Sequence, residues 1–141
     1  MTSESVQFTD KMLLELAADS RRRSHAPYSN FTVGAACLGR SGTAYFGCNV
    51  ENASYPVGLC AERAAVASAV AHGETEIIVL AVAGGPRESP PSGDLRPCGM
   101  CLQFMSELMG PETRVLVANG PDAHLEFTMT QLLPEGFKLE K

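Results

Sequence analysis

The chain has no tryptophan, 6% aromatic residues and only 19% charged ones, and its 11 basic residues are outnumbered by 16 acidic ones, for a formal net charge of −5. Without a basic excess there is no electrostatic footprint for a phosphate backbone, so a nucleic-acid polymer is not an expected partner. No apolar run approaches the roughly 18 residues of a membrane span. The first ten residues contain Glu4 and Asp10 but neither a basic segment nor an apolar one, so they do not read as a secretory signal. An even cysteine count is also missing. Five thiols without a leader argue against a disulfide framework and for a reducing compartment, the cytoplasm.

What the chain does have suits one core. Its 141 residues are 45% hydrophobic, the profile of a single globular domain spanning residues 1–141. A chain near this length buries roughly 68–70% of its unfolded surface, so it needs no covalent staples. No internal repeat is visible.

The periodicity predicts an α/β order. Asp10 is expected to cap a helix that turns Met12, Leu13, Leu16 and Ala17 inward. Arg21, Arg22 and Arg23 near its end read as a solvated face or a subunit contact, and Pro27 stops it. Phe31, Val33, Ala35 and Cys37 alternate as in a strand, and Ala44–Cys48 reads as the antiparallel return after a turn at Gly39–Gly42. Cys37 and Cys48 in these segments read as small buried residues. An alanine-rich helix is expected over Cys60–Ala71, a doubly buried strand over Ile77–Ala83, a surface loop over Gly84–Pro97 and a helix over Cys98–Met109. Short strands at Arg114–Ala118 and Leu125–Thr128 and a helical turn at Met129–Leu133 follow. The expected fold is a single mixed β-sheet of about five strands covered by helices.

Two segments carry chemistry, Cys60-Ala61-Glu62-Arg63 and Pro97-Cys98-Gly99-Met100-Cys101. The Cys98/Cys101 spacing suits either zinc or a redox pair and is weak evidence alone. Both segments open expected helices, whose first-turn N–H groups favour thiolate over thiol. If the two helix starts face each other, Cys60, Cys98 and Cys101 form a three-thiolate zinc site with one open position, as in catalytic rather than structural sites. Zinc brings the pKa of a bound water toward about 7, and Glu62 is placed to move its proton. A closed structural site completed by Cys37, Cys48, His25, His72 or His124 is the alternative, and so is a redox role for Cys98 and Cys101.

Cys60-Ala61-Glu62 with Pro97-Cys98-Gly99-Met100-Cys101 resembles the C-A-E…P-C-x-x-C signature of the zinc-dependent cytidine deaminases. Pro27-Tyr28-Ser29-Asn30-Phe31 with Val33-Gly34-Ala35-Ala36, then Asn49-Val50-Glu51-Asn52-Ala53-Ser54-Tyr55-Pro56, and finally Leu132-Leu133-Pro134 with Phe137, resemble further stretches of that family. The resemblance spans Asp10 to Phe137. It implies a three-layer deaminase sandwich that converts cytidine and 2′-deoxycytidine to the uridines and ammonia in pyrimidine salvage. One Zn²⁺ per chain is implied on Cys60, Cys98 and Cys101, with Glu62 as proton shuttle. By the same resemblance Asn49 and Glu51 hold the ribose, Phe31 lines the nucleoside pocket, and the Ala61 N–H faces the pyrimidine O2. Phe137 covers the base in a neighbouring subunit of a homotetramer, Tyr55 lies near that shared edge, and Arg63 can donate to a thiolate. One departure stands out: many relatives carry Arg-Gln after the last zinc cysteine, where this chain has Leu102-Gln103. A relative acting on another aminopyrimidine nucleoside, such as blasticidin S, would share the zinc core but lack the Asn49–Asn52 stretch.

Overall fold

The computed structural model describes residues 7–140; the opening residues read above as no secretory signal lie mostly outside them. Helix α1 (Asp10–Ser20) is followed by a 3-10 turn at Arg21–Arg23 and the hairpin β1 (Phe31–Gly39) and β2 (Ala44–Cys48). Helix α2 (Ala61–Ala71), strand β3 (Ile77–Pro86), helix α3 (Gly99–Met105), strands β4 (Met109–Asn119) and β5 (Ala123–Thr128) and a last turn α4 (Met129–Leu132) complete the order.

The five strands form one mixed sheet in the order β2-β1-β3-β4-β5, with β3 and β4 parallel and the other neighbours antiparallel. The period of two divides each central strand between two cores. Ala35, Cys37, Leu80, Val82, Val115 and Val117 pack with α2 and α3 on one face. Ala36, Val79, Ala81, Ala83, Leu116 and Ala118 pack against Leu13 and Ala17 of α1 on the other. Helices therefore cover both faces, as the sequence pattern implied. Two glycines set how closely they sit. A Cβ on Gly34 would lie 1.9 Å from the Ala17 carbonyl oxygen, and one on Gly47 would lie 2.6 Å from the Ala65 nitrogen, so each lets a helix rest directly on the hairpin.

Several local expectations change. Thr9, not Asp10, caps α1: its hydroxyl accepts the Met12 N–H at 3.1 Å, while Asp10 occupies the first turn and pairs with Arg114 of β4. The stretch Gly84–Pro86 is strand rather than loop, because it pairs with Phe31–Thr32–Val33 of β1. Helix α3 stops at Met105, since Ser106 turns its hydroxyl back on the Gln103 carbonyl and Met109 already pairs with Ile77. The arginine cluster is not uniformly solvated. Arg22 and Arg23 are exposed and face Asp19, but Arg21 is 7% exposed and bonded to four acceptors.

Candidate active site

Helices α2 and α3 begin side by side, and each begins at a cysteine. Cys60 is the N-cap of α2 and Cys98 the N-cap of α3; both have extended backbones, and neither spends its side chain on capping. Cys101 follows one turn into α3 and is fully buried. The three sulfurs lie within 4.8 Å of one another, and the Cys98 and Cys101 sulfurs are 3.5 Å apart. Tetrahedral Zn–S bonds of about 2.3 Å require sulfurs about 3.8 Å apart, so this donor set fits zinc closely. No histidine or further cysteine joins the cluster among the described residues. Cys37, offered above as a fourth ligand, donates instead to the Ala65 carbonyl at 3.6 Å, and burial pushes its pKa up to about 12. Among the described residues the cluster thus offers three sulfur donors; a zinc ion held by them would keep one position open, as catalytic sites do.

The local electrostatics support a thiolate. The Cys101 thiol donates to Cys60, and Arg63 reinforces that effect with an Nη2 at 3.8 Å from the Cys60 sulfur; together they bring the Cys60 pKa down to about 5. The buried Cys101, giving its proton to that thiolate, is pushed up. Arg63 also donates to the Gly58 carbonyl at 3.4 Å, but its Nε is buried without a partner. Glu62, in the first turn of α2, is 5% exposed. Burial pushes its pKa up to about 7, and the nearby Cys60 thiolate adds to the effect.

Cys60, Glu62, Arg63 and Cys98 line one wall of a cavity of about 580 Å³ that also reaches Asn49, Glu51, Tyr55 and Ala61, while Cys101 is buried and not part of the lining. That volume suits a small organic ligand. Asn49 is held at both ends of its amide: Oδ1 accepts the Val33 N–H and Nδ2 donates to the Phe31 carbonyl, each at 2.9 Å. One amide N–H is left for a ligand. Glu51 accepts the Tyr28 N–H at 3.0 Å, the Ser29 N–H at 3.1 Å and the Ser29 hydroxyl, and the hydroxyl bond above all holds its pKa below the usual carboxylate range. Tyr55 stands at the rim, 76% exposed, with its ring edge-on to Tyr28 at 6.4 Å between centroids.

The structure therefore brings Cys60, Ala61, Glu62, Arg63, Cys98 and Cys101 together with Asn49, Glu51 and Tyr55. The Phe31 ring is not among the lining side chains; its carbonyl orients Asn49 instead. Phe137 does not line this cavity either and lies 68% exposed on the C-terminal tail. Sequence reasoning missed Ser29 and Tyr28 as the groups that position Glu51, although both stand in the Pro27–Phe31 stretch that carried part of the resemblance. It also missed Arg96, a lining residue whose guanidinium stacks 4.7 Å from the Phe127 ring centroid.

The family described as the cytidine and deoxycytidylate deaminase zinc-binding region matches residues 8–118. The chain belongs to this family. A cytidine deaminase of Halalkalibacterium halodurans is 38% identical over 92% of this chain and 95% of its own length. The crystal structure of a cytidine deaminase from Burkholderia pseudomallei superposes with a TM-score of 0.81 at 40% identity, covering 92% of this chain and all of the other. One from Mycobacterium tuberculosis gives 0.75 at 36%, covering 94% and all of the other. The zinc-binding deaminase fold expected from the sequence is thus the one observed. No helix among the described residues is long and apolar enough to cross a membrane.

Proposed function

We propose that this protein hydrolyses cytidine and 2′-deoxycytidine to the corresponding uridines and ammonia, with one zinc ion held by Cys60, Cys98 and Cys101. The observation that carries the reading is Glu62: a buried carboxylate with a pKa raised to about 7, two residues beyond a thiolate ligand, in the wall of a nucleoside-sized cavity. A structural zinc site has no use for such a group.

Zinc bound to the three thiolates supplies Lewis acidity that makes water a nucleophile at neutral pH. Glu62 takes a proton from the attacking water and returns it to the ring N3, and the departing amine leaves as ammonia with the second proton. The water oxygen bonds to C4 as N3 is protonated; its second proton then passes to the exocyclic N4, the C4–N4 bond breaks, and that oxygen remains as the C4 carbonyl. Arg63 offsets part of the negative charge of three thiolates. Asn49 offers its remaining amide N–H, and Glu51 its remaining lone pairs, to ribose hydroxyls; both are fixed in place before the ligand arrives, which lowers the ordering cost of binding. The Ala61 N–H, at the first turn of α2, is available to the pyrimidine O2.

The exposed Phe137 and the open rim at Tyr55 support a site completed between subunits of a homotetramer, with Phe137 covering the base of a neighbour. Five free thiols support cytoplasmic residence.

The test is loss of ultraviolet absorbance with cytidine, 2′-deoxycytidine, cytosine and blasticidin S, with zinc measured on the same sample. Cytidine and deoxycytidine should be turned over, cytosine poorly. Asn49→Ala and Glu51→Ala should each cost about 1–3 kcal/mol in kcat/KM for nucleosides and little for cytosine. Equal turnover of cytosine and cytidine removes the ribose assignment, and preference for blasticidin S moves the substrate to another aminopyrimidine.

A further inference from the structure

Gln103 sits in α3, two residues after Cys101, and its side chain does something that the metal site does not require. Its Nε2 donates to the Phe137 carbonyl at 2.9 Å, and its Oε1 accepts the Phe137 N–H, also at 2.9 Å. One side-chain amide thus pairs with both backbone groups of a residue 34 positions away, as a neighbouring strand would. The Nε2 also lies 3.4 Å from the Ser106 hydroxyl, so the amide has partners on both its atoms. Gly136, the residue before Phe137, packs over Leu133: a Cβ there would lie 2.8 Å from Leu133 Cδ2.

These contacts fix the Phe137 backbone and leave its ring free. The ring is 68% exposed, and among the described residues it has no aromatic or cation partner. A large apolar ring held at the surface by a two-way hydrogen bond is arranged for contact outside its own chain. At its other end, the same helix carries Met100, and its N-cap Cys98 precedes it; both line the cavity wall.

We propose that Gln103 is the positioning residue for Phe137: its amide holds the tail backbone against the metal-binding helix so that the ring is presented to a neighbouring subunit's cavity. This rests on the shared-site reading above. Gln103 lines neither the cavity nor the cysteine cluster and acts through Phe137, so its loss weakens substrate capture in the neighbour's site. A preset ring lowers the ordering cost of binding, so the effect falls on KM.

The test compares Gln103→Ala, Phe137→Ala and the double variant with the wild type. Gln103→Ala should keep one zinc per chain and raise KM for cytidine about tenfold with kcat within about twofold. It should add nothing in the Phe137→Ala background, because the two residues act as one unit. Subunits carrying Gln103→Ala mixed with subunits carrying Glu62→Ala should regain activity: an intact Glu62 then meets a well-held ring from the other chain. If Gln103 supports only its own metal site, every mixed site keeps a defect and mixing restores nothing, which overturns the proposal. Wild-type KM in Gln103→Ala, or additivity with Phe137→Ala, does the same. Should Gln103→Ala fail to fold, Gln103→Glu keeps the acceptor for the Phe137 N–H and loses the donor; a raised KM supports the proposal and a wild-type KM overturns it. Hydrogen exchange at the Phe137 amide separates this inference from the function it rests on. A wild type that leaves cytidine untouched ends the functional reading, whereas the clamp stands if that amide exchanges slowly in the wild type and quickly in Gln103→Ala, and falls if the two rates are equal.

Discussion

Two arginines, one on each side of the sheet, are treated in opposite ways. Arg21, between α1 and the strand ends, gives Nε to the Thr32 hydroxyl at 3.1 Å, Nη1 to the Ser89 carbonyl at 2.9 Å, and Nη2 to the Gly85 and Pro86 carbonyls at 3.0 and 2.9 Å. It fastens the end of β3 and the loop beyond it to α1 and β1. Arg63, beside the thiols, has one long bond to Gly58, a sulfur contact and a buried Nε with no partner. A buried polar group left unpaired costs about 1–3 kcal/mol. Among the described residues this is the one buried side-chain donor left without a partner, and it belongs to the guanidinium that contacts the Cys60 sulfur. One guanidinium stabilises the fold, and the other is kept underused for chemistry.

The sharpest test of that division is Glu62→Gln. The amide keeps the size of the side chain and removes its proton-carrying function, so kcat/KM should fall by about 10²–10⁴, or more if one group serves several proton steps. Zinc content should hold, and the thermal midpoint should stay or rise, because a carboxylate whose pKa is raised by burial is a destabilising resident of that wall. A variant that lost zinc or stability along with activity would make Glu62 part of the scaffold.

Arg21→Met should show the mirror image. Removing the hub leaves Thr32 and three carbonyls without their donor, at a loss of about 2–4 kcal/mol in urea unfolding, while kcat/KM per folded molecule stays within about twofold. Arg63→Gln, at the other pole, should weaken zinc about 10–100-fold against a competing chelator and leave the midpoint of the metal-free protein nearly unchanged, so that any loss in the zinc-loaded protein is only the roughly 1.4–2.7 kcal/mol of weaker metal binding. If Arg21→Met lost activity as steeply as Arg63→Gln while still folded, the division would not hold.

The same contrast explains what could be read from the sequence. The metal cluster was legible because its information is local: two helix starts, each with cysteine at the cap, and Glu62 in the first turn. The alternation of small and branched residues also placed β1, β3 and β4 between two helical layers. Arg21 was not legible. Its neighbours Arg22 and Arg23 are solvated, and nothing local distinguishes it, because three of its four acceptors lie 64 to 68 residues away. The pairing of Gln103 with Phe137 was hidden for the same reason. Thr9 and Asp10 are both good cap formers, and the choice fell to Thr9 because Arg114, more than a hundred residues away, takes the Asp10 carboxylate. Phe31 shows a third case: the residue contributes, but through its carbonyl on Asn49, which no side-chain pattern reports.

The smallest expected effect concerns two carboxylates that look alike. Glu51 in the cavity is held by two N–H groups and the hydroxyl of Ser29; Glu74, in the connection between α2 and β3, is held by the Ser41 N–H at 3.4 Å, the Ser41 hydroxyl and the Tyr45 hydroxyl at 2.8 Å. In both, the serine hydroxyl is the main cause of a pKa below the ordinary 4.5. A carboxylate with a depressed folded pKa contributes stability above its unfolded pKa and loses it as the pH falls through the folded value. Glu74 is 8% exposed and closes the β1–β2 hairpin beneath Gly39, so its protonation loosens packed structure. Glu51 faces the cavity, and its protonation loosens a binding loop. The urea midpoint should therefore fall as the pH drops below about 4.5 in the wild type and less steeply in Glu74→Gln, which starts lower at pH 7. Asp10 and Glu126, both depressed by Arg114, titrate in the same direction, so the slope flattens without vanishing. Metal release is common to all three proteins and cancels in the comparison. Glu51→Gln removes a depressed carboxylate too, so it should flatten the acid slope, but less than Glu74→Gln does, and it alone of the two should lose nucleoside kcat/KM. If Glu51→Gln instead flattened the acid slope more than Glu74→Gln did, the cavity carboxylate would be part of the scaffold, and the separation between the two sides of the sheet would fail at its most delicate point.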